Sequence, residues 1–240
     1  MPGRAMARRA MSKLERAFRA AGGGEKRGPL PHAAAGRACF ALEGQPLRCY
    51  PASMLNPVRA PMTADEFLAW AQGWAEGERY ELLDGEPVRM ASERARHALA
   101  KAEIYVRLRD AARAARAARI QAEVFPDGMA VVVGERTVYE PDALVRVGPP
   151  LDGDAVKVPD PLIVVEVLSP STGSTDLGNK LAGYFRVLTV QHYLILNAAT
   201  RVAIHHRRGE GDAIITRILG DGPLRLDPPG LALDGLLAPA

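Results

Sequence analysis

Ile163-Val164-Val165-Glu166-Val167-Leu168 is the stretch on which the fold turns. Five aliphatic residues, mostly β-branched, with one acid among them read as a short buried strand over about 162–168. A carboxylate inside such a run costs several kcal/mol if it is left charged and unpaired, so Glu166 calls for a metal, a cation or a proton beside it. Working outward, Pro141-Asp142 opens another strand, predicted over 142–147, whose acid lies 24 positions before Glu166. If the two strands are neighbours, both carboxylates converge at one edge of a sheet. Two hard oxygen ligands with room for water suit Mg²⁺ or Mn²⁺. Downstream, Ser169-Pro170-Ser171-Thr172-Gly173-Ser174-Thr175 is too rich in hydroxyls, Pro and Gly for regular structure, and can fold the following helix, 175–188, back across that edge. The helix carries Lys180, whose ammonium would stabilise a developing hydroxide or the charge on a phosphoryl group. Spacing alone equally allows a structural salt bridge from Lys180 to Glu166 or Asp176.

The surrounding pattern predicts an α+β domain. Thr63-Ala64-Asp65-Glu66 has the form of a capping box, and Phe67, Trp70, Ala71 and Trp74 follow at helical spacing, which predicts a helix over 63–76. Asp84-Gly85 between Tyr80–Leu83 and Glu86–Met90 predicts a hairpin with a type I′ turn, because that dipeptide tolerates the positive φ angles required. An Ala-rich run from Ser92 to Arg119 predicts the long helix. Strands are expected near 121–125, 128–133, 192–197, 201–206 and 213–218, and Asp227-Pro228-Pro229-Gly230 is expected to end regular structure. Strands cluster rather than alternating with helices, so a central mixed or mostly antiparallel sheet flanked by a few helices is the expected class.

Composition separates the chain into two parts. At 240 residues and 48% hydrophobic it is long enough for one full core. The formal charge of +3 hides an asymmetry: residues 1–60 hold eleven Lys or Arg against Glu15, Glu25 and Glu43, about +8, which leaves the rest at about −5. Residues 1–61, rich in Arg, Ala, Gly and Pro and with a possible short helix over Met6–Ala20, read as a mostly disordered basic extension to a domain over 62–240. A nucleic-acid-binding arm, a cleavable targeting segment and a start codon placed upstream of Met54 or Met62 all fit it. Gly22-Gly23-Gly24 is no phosphate loop, since no Gly-Lys-Ser/Thr follows. No window is apolar enough to span a membrane, and there is no secretory signal. Cys39 and Cys49 suggest neither a disulfide framework nor a structural metal and fit a reducing cytoplasm.

Several motifs carry a resemblance. Tyr80-Glu81-Leu82-Leu83-Asp84-Gly85-Glu86, His97, Glu140-Pro141-Asp142, Val164 through Thr172, and Asp176-x-x-x-Lys180-x-x-x-Tyr184 closely resemble the Uma-two family of restriction-endonuclease-like proteins, in the PD-(D/E)XK nuclease superfamily, over about residues 62–236. The resemblance implies a restriction-endonuclease-like fold in which Asp142 and Glu166 bind Mg²⁺ or Mn²⁺, the Val167 backbone carbonyl adds a ligand, and Lys180 is the catalytic lysine. The superfamily's usual lysine position, two residues after the second acid, is Leu168 here, and in the Uma-two family a lysine on the following helix takes that role. It further implies a DNA substrate. Glu81 matches an acidic position near the start of the fold, with a second metal, a water or an arginine as its partner. His97 matches a family histidine that would contact phosphate or shuttle a proton, or else cap and pack its helix.

Other residues read less specifically. Arg109, Arg113 and Arg116 lie at helical spacing as a basic stripe, either phosphate-neutralising or simply a solvated face. Aromatic residues are only 5% of the chain, so duplex DNA held through phosphates is expected over stacked single strands. A homodimer suits cutting of both strands. His205 and His206 are expected at the surface on opposite faces of a strand, and Asp127 as a turn residue. The alternative to an enzyme is a catalytically inactive nuclease-fold module that binds nucleic acid or protein.

Overall fold

The computed structural model describes residues 37–40, 48–51, 60–73, 78–168, 174–220 and 222–235, with the side chains of 37–40, 48–51 and 174–176 excepted. The expectations for Met6–Ala20, the 169–173 loop and the Asp176 carboxylate lie outside these. The chain divides into two units, Met1–Arg59 and Ala60–Ala240. In the first, β1 (Arg37–Phe40) and β2 (Arg48–Pro51) pair antiparallel, with Cys39 opposite Cys49 in the backbone register, where composition predicts no regular structure.

The second unit begins with α1 (Ala64–Gln72), closed at its start by the predicted capping box: Glu66 N–H donates to Thr63 Oγ1, and Thr63 N–H donates to the Glu66 carboxylate. The hairpin of β3 (Tyr80–Leu83) and β4 (Glu86–Arg89) turns through Asp84 at φ 50° and Gly85 at φ 88°. It does not join the main sheet. Instead β3 pairs with β7 (Thr137–Tyr139), which pairs with β6 (Val131–Gly134), giving a separate four-stranded sheet. The long helix, α2, runs Ala95–Ala115 and ends in a 3₁₀ turn at Arg116–Ala118.

The central sheet has six strands in the order β12-β11-β10-β9-β8-β5. These are β5 (Ala122–Pro126), β8 (Ala143–Val147), β9 (Ile163–Val167), β10 (His192–Asn197), β11 (Val202–Arg208) and β12 (Ile214–Leu219). Only β9 and β10 run parallel, joined by α3 (Ser174–Arg186); the other pairs are antiparallel, so the sheet is mixed. Regular structure does not stop at the Asp227–Gly230 turn. That turn joins β13 (Leu224–Leu226) to β14 (Leu231–Leu233), whose four leucines are buried against the core.

The period-2 alternation of β9 positions the site. Ile163, Val165 and Val167 face α2 and pack with its Ile104, Leu108 and Ala111. Val164 belongs to the opposite layer, with Leu144, Tyr184, Phe185, Tyr193 and Ile195. Glu166 follows the parity of Val164 and meets α3. A strand buried on both faces has no solvent to screen its acid, so the partners must come from the covering helices.

Candidate metal and phosphate site

Asp142 and Glu166 do converge. β8 and β9 are antiparallel neighbours, and the start of one lies beside the end of the other. The Asp142 N–H donates to the Val165 carbonyl at 2.9 Å, and the Val167 N–H donates to Asp142 Oδ2 at 2.6 Å, which binds the Asp142 carboxylate to the terminus of β9. Lys180 Nζ lies 2.9 Å from Glu166 Oε1 and 3.0 Å from Glu81 Oε1. One helical turn on, the Tyr184 hydroxyl donates to the same Glu166 oxygen at 2.6 Å. The i, i+4 spacing of Lys180 and Tyr184 puts both on one face of α3. Glu81 also accepts the Glu140 N–H at 3.0 Å, so its partner is this lysine rather than an arginine. His97 Nε2 lies 2.8 Å from the Val167 carbonyl and therefore donates to it. Glu81, His97, Asp142, Glu166, Val167 and Lys180 all line one cavity of about 420 Å³.

Burial and nearby charge set the electrostatics. Burial pushes the Glu166 carboxyl up to about 7; Lys180 pulls it down, while Asp142 and Glu81 raise it further. Burial disfavours the Lys180 ammonium, but Glu166 and Glu81 outweigh this and its pKa is raised. Burial, then Glu166, raise Tyr184 far above the usual phenol value.

Sequence reasoning missed a second buried cation. Lys101 of α2 is only 5% exposed; its Nζ lies 2.9 Å from Asp142 Oδ1 and 2.7 Å from Asp127 Oδ2, with Glu93 as a third acceptor. Asp127 is thus more than a turn residue. Arg79 holds it at 2.6 Å and Glu140 at 2.7 Å, which links Asp127 to the Glu140–Asp142 segment that leads into β8. A signal for Lys101 was present: His97, Lys101, Ile104, Leu108 and Ala111 form one stripe at 3- and 4-residue spacing, and a lysine on the apolar stripe of a helix is out of place unless it is paired.

The donor set suits a hard divalent cation. Among the described residues no three His, Cys, Asp or Glu side chains converge as a metal cluster; the carboxylates on the cavity are Glu81, Glu93, Asp142 and Glu166, and with the Val167 carbonyl they offer only hard oxygen donors. Six carboxylates, Glu81, Glu93, Asp127, Glu140, Asp142 and Glu166, share three cations, Arg79, Lys101 and Lys180.

Other predicted sites lie elsewhere. Arg109, Arg113 and Arg116 are not brought to the cavity; they line a different groove with Phe125 and Glu123. Arg89, Arg94 and Arg96 line the acidic cavity instead. His205 and His206 are buried, not surface groups. They do point to opposite faces: His205 Nε2 donates to His192 Nδ1 at 2.9 Å, while His206 Nδ1 lies 2.8 Å from Thr216 Oγ1. His192 Nε2 donates to the Pro228 carbonyl at 2.7 Å, which leaves its Nδ1 as the acceptor.

Comparison with known proteins finds similarity at the level of family, sequence and fold. The family model Uma2, described as "Putative restriction endonuclease", matches residues 64–237. The "Uncharacterized protein slr1290" of Synechocystis sp. (strain ATCC 27184 / PCC 6803 / Kazusa) is 34% identical over 73 residues, 30% of this chain and 38% of that protein, so the match spans well under half the relative's length. A crystal structure described as "a putative nuclease belonging to DUF820 from Anabaena variabilis ATCC 29413" has a TM-score of 0.53 at 16% identity, over 69% of this chain and 88% of that one. At that identity the likeness is one of fold.

Proposed function

The chain belongs to the Uma2 family, whose model spans residues 64–237, and from that premise we propose that it is a metal-dependent endonuclease hydrolysing DNA phosphodiester bonds. The observation that carries the reading is the meeting of two carboxylates from adjacent strands with Lys180 Nζ, 2.9 Å from Glu166. Asp142, Glu166 and the Val167 carbonyl would hold Mg²⁺ or Mn²⁺. When bound, the cation lowers the pKa of water and offsets charge on the scissile phosphate.

The chain's own residues do the rest. Lys180 keeps its proton, since its pKa is raised, and so acts as a hydrogen-bond donor and fixed positive charge toward the anionic phosphate rather than as a base. Tyr184 and Lys180 share Glu166 Oε1 and hold the carboxylate in one orientation. His97 does the same for the Val167 carbonyl. Arg94 and Arg96, exposed at the cavity, would draw in the phosphate backbone. Duplex DNA is the substrate form this favours, with one copy of the chain per strand in a homodimer and the cytoplasm as the compartment. Among the described residues no helix is long and apolar enough to cross a membrane.

One observation favours a second reading, a non-catalytic binding module. Asp142 and Glu166 each already contact an internal lysine. Nicking of supercoiled plasmid by wild type, Glu166→Ala and Lys180→Ala, with Mg²⁺ and with EDTA, separates the two. The enzyme reading expects metal-dependent nicking by wild type alone. Equal activity in all three sinks the site assignment, and DNA binding without nicking, unchanged in EDTA, supports the module.

A further inference from the structure

Lys101 is the buried cation that the nuclease reading leaves without a role. Its three ammonium hydrogens face three carboxylates, Glu93, Asp127 and Asp142, which uses every donor it has. Asp142 is the crowded partner. Its Oδ2 is taken by the Val167 N–H at 2.6 Å, so Oδ1, the oxygen 2.9 Å from Lys101, is the one left to serve another cation.

We infer that Lys101 competes with a divalent cation for Asp142 Oδ1, with Asp127 and Glu93 receiving the ammonium when the cation binds. Lys101 is then a positioning residue that sets cation affinity from outside the ligand set. The inference rests on the metal reading of Asp142 and Glu166.

The surroundings suit an exchange of this kind. An ammonium on a four-carbon stem can leave Asp142 and keep its contacts to Asp127 and Glu93, so moving off costs one hydrogen bond of three. Asp127 is anchored independently by Arg79 at 2.6 Å, and therefore stays in place as an acceptor whichever way Lys101 turns. His97, one turn before Lys101 on the same face of α2, is tied to the Val167 carbonyl, so the helix itself is fixed while the lysine end moves. A unit charge left a few Å from a dication repels it, and a lysine with somewhere to go lessens that repulsion.

The test is calorimetric titration of the full chain with Mn²⁺ at pH 8, a readout independent of cleavage. Lys101→Met should bind Mn²⁺ about ten-fold more tightly or better, since a competing charge is gone. Lys101→Arg, which keeps the charge, should stay within about three-fold of wild type. Asp127→Asn should bind more weakly by about three-fold or more, although Asp127 is no ligand, because Lys101 then has less reason to leave Asp142. If circular dichroism shows that Lys101→Met has not folded, Asp127→Asn and Glu93→Gln decide, both expected to weaken binding. Wild-type affinity in Lys101→Met, or in both acceptor variants, overturns the competition while leaving the metal site standing. No Mn²⁺ binding by any chain overturns both.

Discussion

Lys180→Met removes the cation that, among the described residues, bridges Glu166 and Glu81. Lys180 is 8% exposed and Glu166 12% in their side chains, so solvent replaces the lost partner only in part. Truncating one member of a buried pair costs about 3–5 kcal/mol, mostly from the charge left behind. Against a total stability of about 5–15 kcal/mol this is a large fraction. With an m-value of about 2 kcal/mol/M it moves the urea midpoint down by about 2 M. Urea titration followed by tryptophan fluorescence and by circular dichroism measures it. The double variant Lys180→Met/Glu166→Gln should recover at least half the loss, because the amide carries no charge and its oxygen still accepts from the Tyr184 hydroxyl, 2.6 Å away in wild type. A loss under about 1 kcal/mol in the single variant, the range of exposed pairs, or no recovery in the double one, would refute the claim that a desolvated pair holds α3 to the end of β9.

Two further outcomes follow from the packing. Gly183→Ala would normally favour a helix by about 0.5–1 kcal/mol, yet here its Cβ would meet Tyr139 Cε2 at 2.6 Å, and that ring packs on Tyr184 at 5.3 Å, so a loss of about 1–3 kcal/mol is expected. A melting temperature equal to or above wild type contradicts it. Burial pushes His205 down to about 4, with the nearby His192, Arg217 and Arg207 adding to the shift, and burial lowers His192 and His206 too. These histidines fold neutral, so their contribution is complete above the unfolded value of about 6.5 and is lost as pH falls toward 4, on the order of 3 kcal/mol for His205. Urea unfolding at pH 8 and pH 5 should show this decline in wild type and a shallower one in His205→Asn; equal slopes in the two proteins rule it out.

How far the site was legible in the sequence depended on whether each partner was local. Glu166 stood out because an acid interrupts an aliphatic run, and Lys180 because it lies on the next helix, 14 residues on. Period-2 alternation along β9 then suffices to place both on the α3 side of the sheet. Asp127 was opaque: Pro126-Asp127-Gly128 has ordinary turn chemistry, and its partners, Arg79 and Lys101, are 48 and 26 positions away on other elements. His205 and His206 failed for a similar reason. Strand geometry separated their faces, but nothing local told that His192 and Thr216 would cover them. The β3–β4 hairpin was legible as a hairpin, yet its choice of β7 over the central sheet is decided by long-range pairing at Leu82 and Val138.

The two lysines carry the functional argument together. Each comes from a helix on a different face of the sheet, and each contacts one of the two acids, Lys180 on Glu166 and Lys101 on Asp142. Their surroundings differ in the feature that matters. Lys180 is enclosed by Glu166, Glu81 and the Tyr139 ring at 5.5 Å, with both of its carboxylate acceptors on the cavity, which suits a fixed charge presented to phosphate. Lys101 also reaches Asp127, which Arg79 holds independently, and so has an acceptor to which it can withdraw. On the proposed nuclease reading, therefore, Lys180 should govern turnover and Lys101 cation affinity, a division that pairwise charge alone would not predict because both ammonium groups sit 2.9 Å from their acids.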